Sequence, residues 1–331
     1  MRASEIADTL TIAIVWAIVG ACTALSAASA SAQAYPTKAV RIIVPFAPGG
    51  GTDIIGRVIA PRLGEALGQQ VLIDNRPGAG TLIGAEIAAR SAPDGYTLFM
   101  GINGTMAINP SMYRKLPYDP VKDFAPISML GVGPNVLVVH PSLPARSVKD
   151  LIALARAHPG KLSYASSGTG GAPHLAGELL KSLAGIDMVH IPYKGAGPAT
   201  VDLLAGNVQV MFAGLGAAIS HIKAGKLRGL AVASARRSVA LPALPTIAET
   251  LPGFEASTWF ALFAPAATPK DTIARLNAEL VKVMARSDLQ QQLLAQGYET
   301  VTSTPEQLAA QLKQDTARWA SVIRAAGISA E

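Results

Sequence analysis

Short apolar runs alternate with segments of helical apolar spacing along the chain from Tyr35 onward. Most of the apolar runs are hydrophobic at consecutive positions, which is the pattern of strands covered on both faces. Because such strands alternate with helices, the sequence predicts an α/β fold with mainly parallel sheets flanked by helices. The eight candidate strands lie at residues 39–45, 71–74, 96–100, 136–140, 162–165, 188–191, 208–212 and 230–233.

Three helix starts carry capping signatures, in which a Ser or Thr precedes an acidic or amide residue by three positions. The pairs are Ser147 with Asp150, Thr268 with Asp271, and Thr304 with Gln307, and Pro269 and Pro305 are predicted at the first helical position. Apolar residues recur at helical spacing near the C-terminus and predict helices packed on a lobe. Pro61 falls inside the first helical segment and is expected to kink or end it.

The N-terminal segment has the layout of a secretory signal peptide. Arg2 precedes an apolar run from residue 10 to residue 25, and a Ser/Ala cluster follows it up to Ala34. We therefore expect residues 1–34 to be removed and the protein to be periplasmic. Two alternatives remain open: an uncleaved anchor, since a membrane span needs about 20 apolar residues, and lipidation of Cys22.

Composition excludes several kinds of site. Cys22 is the only cysteine, so the chain from Tyr35 onward forms neither a disulfide nor a thiolate metal site. The net charge of +6 attracts anions, but Lys and Arg form no cluster, which argues against nucleic acid. The five histidines lack metal-ligand spacing, and no nucleotide fingerprint is present, so we expect neither a metal nor a cofactor.

Glycine-rich turns follow several predicted strands, in both halves of the chain. In an open α/β sheet, ligands bind beyond the carboxyl ends of the strands, where backbone amides and helix N-termini attract anions. A single such turn is more often only a tight connection, so the prediction depends on their number. Asp53 is expected to stabilise its own helix and loop rather than to face a ligand. The turns lie at 48–53, 101–105, 166–171, 193–197 and 212–214.

Several motifs together resemble the Bug, or TctC, family of substrate-binding proteins of tripartite tricarboxylate transporters. The resemblance extends from about Tyr35 to the end of the chain, and the combination of motifs is specific to that family. Its motifs are YPTK at 35–38, PFAPGGGTD at 45–53, DNRPGAG at 74–80, PDGYTL at 93–98, NVLVV at 135–139, IPYKG at 191–195 and WFALFAP at 259–265.

This resemblance implies a periplasmic, monomeric protein with two α/β lobes joined by crossing strands, at residues 35–134 plus 255–331 and at 135–254. It would close on a di- or tricarboxylate, an amino acid or an aromatic acid, and deliver it to membrane subunits of a transporter. Family members hold the carboxylate through backbone amides and bridging waters. The contact residues carried over are Phe46, Ala47, Gly50, Thr52, Gly101, Asn103, Thr105, Ser166, Thr169, Tyr193 and Gly195.

One departure from the family concerns Ala213 and Gly214, where many relatives carry an acidic or amide residue. An ammonium group would lose a carboxylate partner there, so we expect the preference to shift away from ligands with an amino group.

The sequence leaves two other functions open. A periplasmic hydrolase would use Ser166 or Ser167 as nucleophile and His174 as base, although the glycine that precedes the serine in a nucleophile elbow is missing. A ligand-presenting partner of a membrane sensor would have the same sequence features as a transport protein.

Overall fold

Two separate β-sheets organise the chain. The structure is a computed structural model. It describes residues 35–168, 171–193 and 196–328, without the side chain of Ala326. The predicted signal peptide, including Cys22, lies outside the described residues, as do two predicted ligand contacts, Thr169 and Gly195. In the described part, no helix combines the length and the hydrophobicity that crossing a membrane requires.

The first sheet has six strands: β1 (Val40–Val44), β2 (Val71–Asn75), β3 (Thr97–Ile102), β4 (Phe124–Gly133), β10 (Thr258–Pro265) and β11 (Glu299–Thr300). Their spatial order is β11-β4-β10-β3-β1-β2. The helices that accompany these strands in the sequence are α1 (Gly51–Leu67), α2 (Leu82–Ala89), α3 (Asn109–Met112), α8 (Lys270–Met284), α9 (Ser287–Ala295) and α10 (Pro305–Ala326).

The second sheet has five strands: β5 (Asn135–Val139), β6 (Ser163–Ser166), β7 (Val189–Pro192), β8 (Val210–Gly214) and β9 (Arg228–Val232). Their order is β7-β6-β8-β5-β9. Four helices lie between these strands in the sequence: α4 (Val148–Ala157), α5 (Ala172–Ala184), α6 (Ala196–Ala205) and α7 (Leu215–Lys223).

The predicted α/β class is confirmed, but the pairing is mixed rather than mainly parallel. In the first sheet β1 is parallel to β2 and β3, whereas β10 is antiparallel to β3 and β4. In the second sheet β6 is parallel to β7 and β8, whereas β5 is antiparallel to β8 and β9. The cause is the crossover between the sheets. β4 leaves the first sheet through Pro134 alone and β10 returns to it, so these neighbours run in opposite directions.

Two of the three predicted helix caps are present. The Ser147 hydroxyl accepts a hydrogen bond from the Asp150 amide at 3.1 Å, and Thr304 forms a capping box with Gln307. The Thr268 prediction is wrong, because its buried hydroxyl has no hydrogen-bond partner and α8 begins after Pro269. The helix containing Pro61 does not end there but continues to Leu67.

The C-terminal helices pack as their apolar spacing predicts. Their stripe residues are all buried: Ile273, Leu276, Leu280, Val283, Leu308, Leu312, Trp319 and Ile323. A polar contact also fixes α10 against the sheet, since the indole of Trp259 on β10 donates to the buried carboxylate of Asp315 at 2.6 Å. The last helix is therefore anchored to a central strand of the first sheet.

Candidate functional site

A cavity of about 860 Å³ opens where the ends of the two sheets meet. The first sheet contributes lining residues from the turns after β1 and β3 and from β10, and the second contributes residues from the starts of α5, α6 and α7. The crossing segment at 133–135 lies between them and also lines the cavity. The cavity is therefore built from both lobes, at the carboxyl ends of β1, β3, β6 and β8.

The polar side chains of the lining are neutral. Among the described lining residues, none is Asp, Glu, Lys, Arg or His. The side chains that can form hydrogen bonds belong to Thr52, Thr81, Thr105, Asn109, Tyr113, Asn135, Ser167, Thr258 and Tyr298. Any charge selectivity contributed by this part of the wall must come from backbone dipoles.

Helix N-termini supply those dipoles. Three helices that begin at the cavity have glycine at the N-cap and no side-chain capping hydrogen bond: α1 after Gly50, α5 after Gly171 and α7 after Gly214. The first N–H groups of a helix have no partner within the helix, and they carry the positive end of its dipole. Uncapped N-termini from both lobes thus make the cavity suited to a negatively charged ligand.

Asp53, in the first turn of α1, is bound internally, as predicted. Its buried carboxylate accepts hydrogen bonds from the Gly49 amide at 2.9 Å, from Arg57 Nε at 2.9 Å and from Asn75 Nδ2 at 2.9 Å. Burial alone would raise the pKa of Asp53, but these hydrogen bonds outweigh it and hold the pKa below its usual value. Asn75 also donates to the Phe46 carbonyl at 3.0 Å, so this network fixes the whole turn before α1.

The predicted contact residues divide into two groups. Those that line the cavity are Phe46, Ala47, Gly50, Thr52 and Thr105. Four others do not line it: Gly101, Asn103, Ser166 and Tyr193. Gly101 instead faces Met106 and Phe263, each within 2.8 Å of where a Cβ atom would lie.

The other three residues that lie outside the lining have internal partners. Asn103 donates to the Ser257 carbonyl at 2.8 Å, next to the start of β10. The Tyr193 hydroxyl donates to Asp202 at 2.6 Å, and the buried Ser166 hydroxyl lies 2.7 Å from His190 Nε2. These side chains stabilise segments next to the cavity.

The hydrolase hypothesis pairs a serine, Ser166 or Ser167, with His174, but the structure pairs Ser166 with a different histidine. Ser166 contacts His190, while the predicted base, His174, stacks on the His190 ring with 3.7 Å between centroids. In the described part of the chain, no group of three His, Cys, Asp or Glu side chains could hold a metal ion.

Sequence reasoning missed the segment formed by Gln296, Gly297 and Tyr298, which follows α9 and lines the cavity through its last two residues. The Tyr298 hydroxyl lies against Gly51, at a distance that leaves no room for a Cβ atom there. The Gln296 carbonyl likewise leaves no room for a Cβ atom on Gly216, in the first turn of α7. This segment therefore contacts the N-terminus of one helix from each lobe. Its sequence resembles an ordinary helix end, with Gly297 at φ 81°, and carries no ligand-binding signal.

The chain is similar to known proteins over most of its length. The family model described as "Tripartite tricarboxylate transporter family receptor" matches residues 55–328. The chain is 41% identical to the protein BugT of Bordetella pertussis over 307 residues, which cover 92% of this chain and 94% of BugT.

Two similar solved structures carry bound carboxylates according to their descriptions. The R. palustris protein Rpa4515 with adipate is 39% identical, has a TM-score of 0.80, and is matched over 89% of this chain and 99% of that one. MatC from Rhodopseudomonas palustris with bound malate is 32% identical, has a TM-score of 0.76, and is matched over 87% and 100% respectively. The predicted two-lobed binding-protein fold is thereby confirmed.

Proposed function

The chain belongs to the family of tripartite tricarboxylate transporter receptors, and from this premise we propose that it captures a small carboxylate in the interlobe cavity for delivery to a transporter. The observation that carries the proposal is the set of uncapped helix N-termini, from both lobes, around a cavity whose described lining has no charged side chain. A carboxylate would be held by backbone amides, Thr and Tyr hydroxyls and bridging waters.

The ligand we propose is a dicarboxylate without an amino group. An ammonium group needs a carboxylate or several carbonyl partners to replace its hydration, and no described lining residue is acidic. Helix N-termini on two sides of the cavity suit a molecule with an acidic group at each end. The bound adipate and malate of the two similar structures support this class of ligand.

Binding would act by stabilising a closed arrangement of the lobes. A ligand that contacts both lobes favours the conformation in which both sets of contacts are made. Membrane subunits of the transporter would then recognise that closed surface. The protein would act in the periplasm after removal of residues 1–34, as a binding protein and not as an enzyme.

The test is a thermal-shift and calorimetric series with matched ligands, on protein unfolded and refolded to remove any bound acid. Adipate, malate and succinate should raise the unfolding midpoint, since a ligand at about 100 times its Kd adds about 2.7 kcal/mol of stability. 6-Aminohexanoate and 1,6-hexanediol, which replace one or both carboxylates of adipate, should shift it far less. Equal shifts from hexanediol and adipate, or no shift from any acid, would refute the proposal.

A further inference from the structure

A polar cluster lies behind the part of the cavity wall formed by Ser167, Gly168 and Gly171. None of its side chains lines the cavity. The cluster comprises four buried residues, Tyr164 and Ser166 on β6 and His174 and Glu178 on α5, and the half-buried His190 on β7. The Ser166 side chain connects this cluster to the loop that carries Ser167, Gly168 and Gly171, which do line the cavity.

The Ser166 hydroxyl makes three hydrogen bonds. It donates to the Gly168 carbonyl at 3.0 Å, accepts from the Gly168 amide at 3.2 Å, and lies 2.7 Å from His190 Nε2. A hydroxyl has one proton, so the His190 tautomer sets the direction of the bond with Ser166. In the tautomer that carries its hydrogen on Nε2, His190 donates to Ser166 and leaves the hydroxyl proton to the Gly168 carbonyl.

This loop geometry needs external support. Gly168 has φ +142°, a conformation that side-chain-bearing residues rarely adopt. Within the described residues, the only other loop hydrogen bond at Gly168 is a long one from the Gly171 amide at 3.4 Å. The Ser166 hydroxyl therefore holds both backbone groups of Gly168, and with them the approach to the N-terminus of α5.

The His190 ring packs against two aromatic rings. It stacks on His174 with 3.7 Å between centroids and on Tyr164 with 5.0 Å. The charged groups near it are Glu178, which accepts from the Tyr164 hydroxyl at 2.6 Å, and Lys181, which lies 3.0 Å from Glu178. Burial, and then the neighbouring His174, lower the pKa of His190 to about 4. Near neutral pH the ring is uncharged.

We propose that His190 is a positioning residue of the ligand site: through its hydrogen bond to Ser166, it holds Gly168 in place so that the amides at the start of α5 are directed into the cavity. This inference rests on the proposed carboxylate function, because the loop amides are assigned there to the ligand. His190 itself makes no contact with the ligand.

A double-mutant cycle tests this chain of contacts by calorimetry with adipate at pH 7.5. His190→Leu, which loses one hydrogen bond, should weaken binding about tenfold, and Ser166→Ala, which loses three, should weaken it at least as much. The double variant should bind no more weakly than Ser166→Ala alone, because His190 acts only through Ser166. His190→Gln should restore most of the affinity, since its amide can donate to Ser166.

The control is Leu180→Ala, at a fully buried position more than two turns along α5. It should lower the unfolding midpoint without changing the adipate affinity. Unchanged affinity in His190→Leu, losses that add in the double variant, or equal weakening by Leu180→Ala would overturn the proposal.

Hydrogen exchange makes the test independent of the ligand. Without any acid present, His190→Leu should speed amide exchange selectively at residues 167–171, whereas Leu180→Ala should not be selective for this loop. If the wild-type protein binds no carboxylate while His190→Leu still loosens this loop, the proposed ligand class fails and the positioning contact stands. Wild-type exchange at the loop in His190→Leu overturns the positioning role.

Discussion

The turn before α1 and the loop before α5 both present helix N-termini to the cavity, yet they are held in place by different chemistry. The first turn depends on a buried carboxylate, Asp53, bonded to an arginine, an amide side chain and a backbone N–H. The second depends on a neutral Ser166–His190 contact. An anion site can therefore be supported by a negative charge, provided that positive and neutral donors fully occupy that carboxylate.

The two supports should respond to acid in different pH ranges. A histidine whose pKa is lowered on folding binds a proton more readily in the unfolded chain, so stability falls as pH drops below its unfolded pKa. A carboxylate whose pKa is lowered stays charged in the folded state until the pH falls below its usual pKa. The second support should therefore weaken first on acidification.

The largest effect is expected from a methyl group placed between the lobes. Gly216→Ala puts a Cβ atom against the Gln296 carbonyl, and relief of such overpacking costs about 1–3 kcal/mol. We expect a 10- to 100-fold loss of adipate affinity, since about 1.4 kcal/mol is a factor of ten. Gly197→Ala is the matched control, because Gly197 lies in α6, does not line the cavity and has nothing within 4 Å of the position of a Cβ atom. Equal calorimetric affinities for the two variants would remove the interlobe contact from the binding mechanism.

Next in size is removal of the charge in the first support. Asp53→Asn leaves at least one of the three donors without an acceptor, and an unsatisfied buried group costs about 1–3 kcal/mol. Urea unfolding should show this loss of stability. Asp187→Asn, at an exposed position, should change it little. If both variants unfold at the same urea concentration, the carboxylate does not support the turn.

The pH ranges can be separated directly by following the unfolding midpoint of ligand-free protein. Wild-type stability should fall between pH 6.5 and about 4, where unfolded His190 is protonated and folded His190 is not. His174, whose pKa burial also lowers, contributes in the same direction. His190→Gln should reduce this slope, while the loss due to Asp53 should begin only below about pH 3.8 in both proteins. An unchanged slope in the variant would refute the assignment.

The smallest effect concerns Tyr298, which the two supports do not touch. Its hydroxyl lines the cavity beside Gly51. Tyr298→Phe should therefore weaken adipate binding about fivefold, within the range for one hydrogen bond, without altering the unfolding midpoint.

Gly51→Ala should weaken binding more than Gly50→Ala, because only an added methyl group at Gly51 meets Tyr298. Combining Gly51→Ala with Tyr298→Phe should recover part of that loss; no recovery would show that the hydroxyl is not the obstacle.

Much of the fold could be predicted from local pattern. All eight candidate strands correspond to strands of the structure, and Ser147 and Thr304 cap their helices. β4 and β10 of the first sheet were not among the eight. They form the antiparallel pairs of that sheet, which depend on partners distant in the chain. In the site, the turn at Phe46, Ala47, Gly50 and Thr52 lines the cavity, whereas Asn103 and Tyr193 bond internally.

The sequence by itself determined eight of the strands, the family and the glycine turns at strand ends, because these depend on residues close together in the chain. Only the tertiary structure decided which side chains line the cavity, that Ser166 meets His190 rather than His174, and that Tyr298 and Gln296 contact the helix N-termini of the two lobes. Those contacts join residues far apart in sequence. Their geometry depends on how the two sheets pack at the crossing strands, which no local pattern encodes.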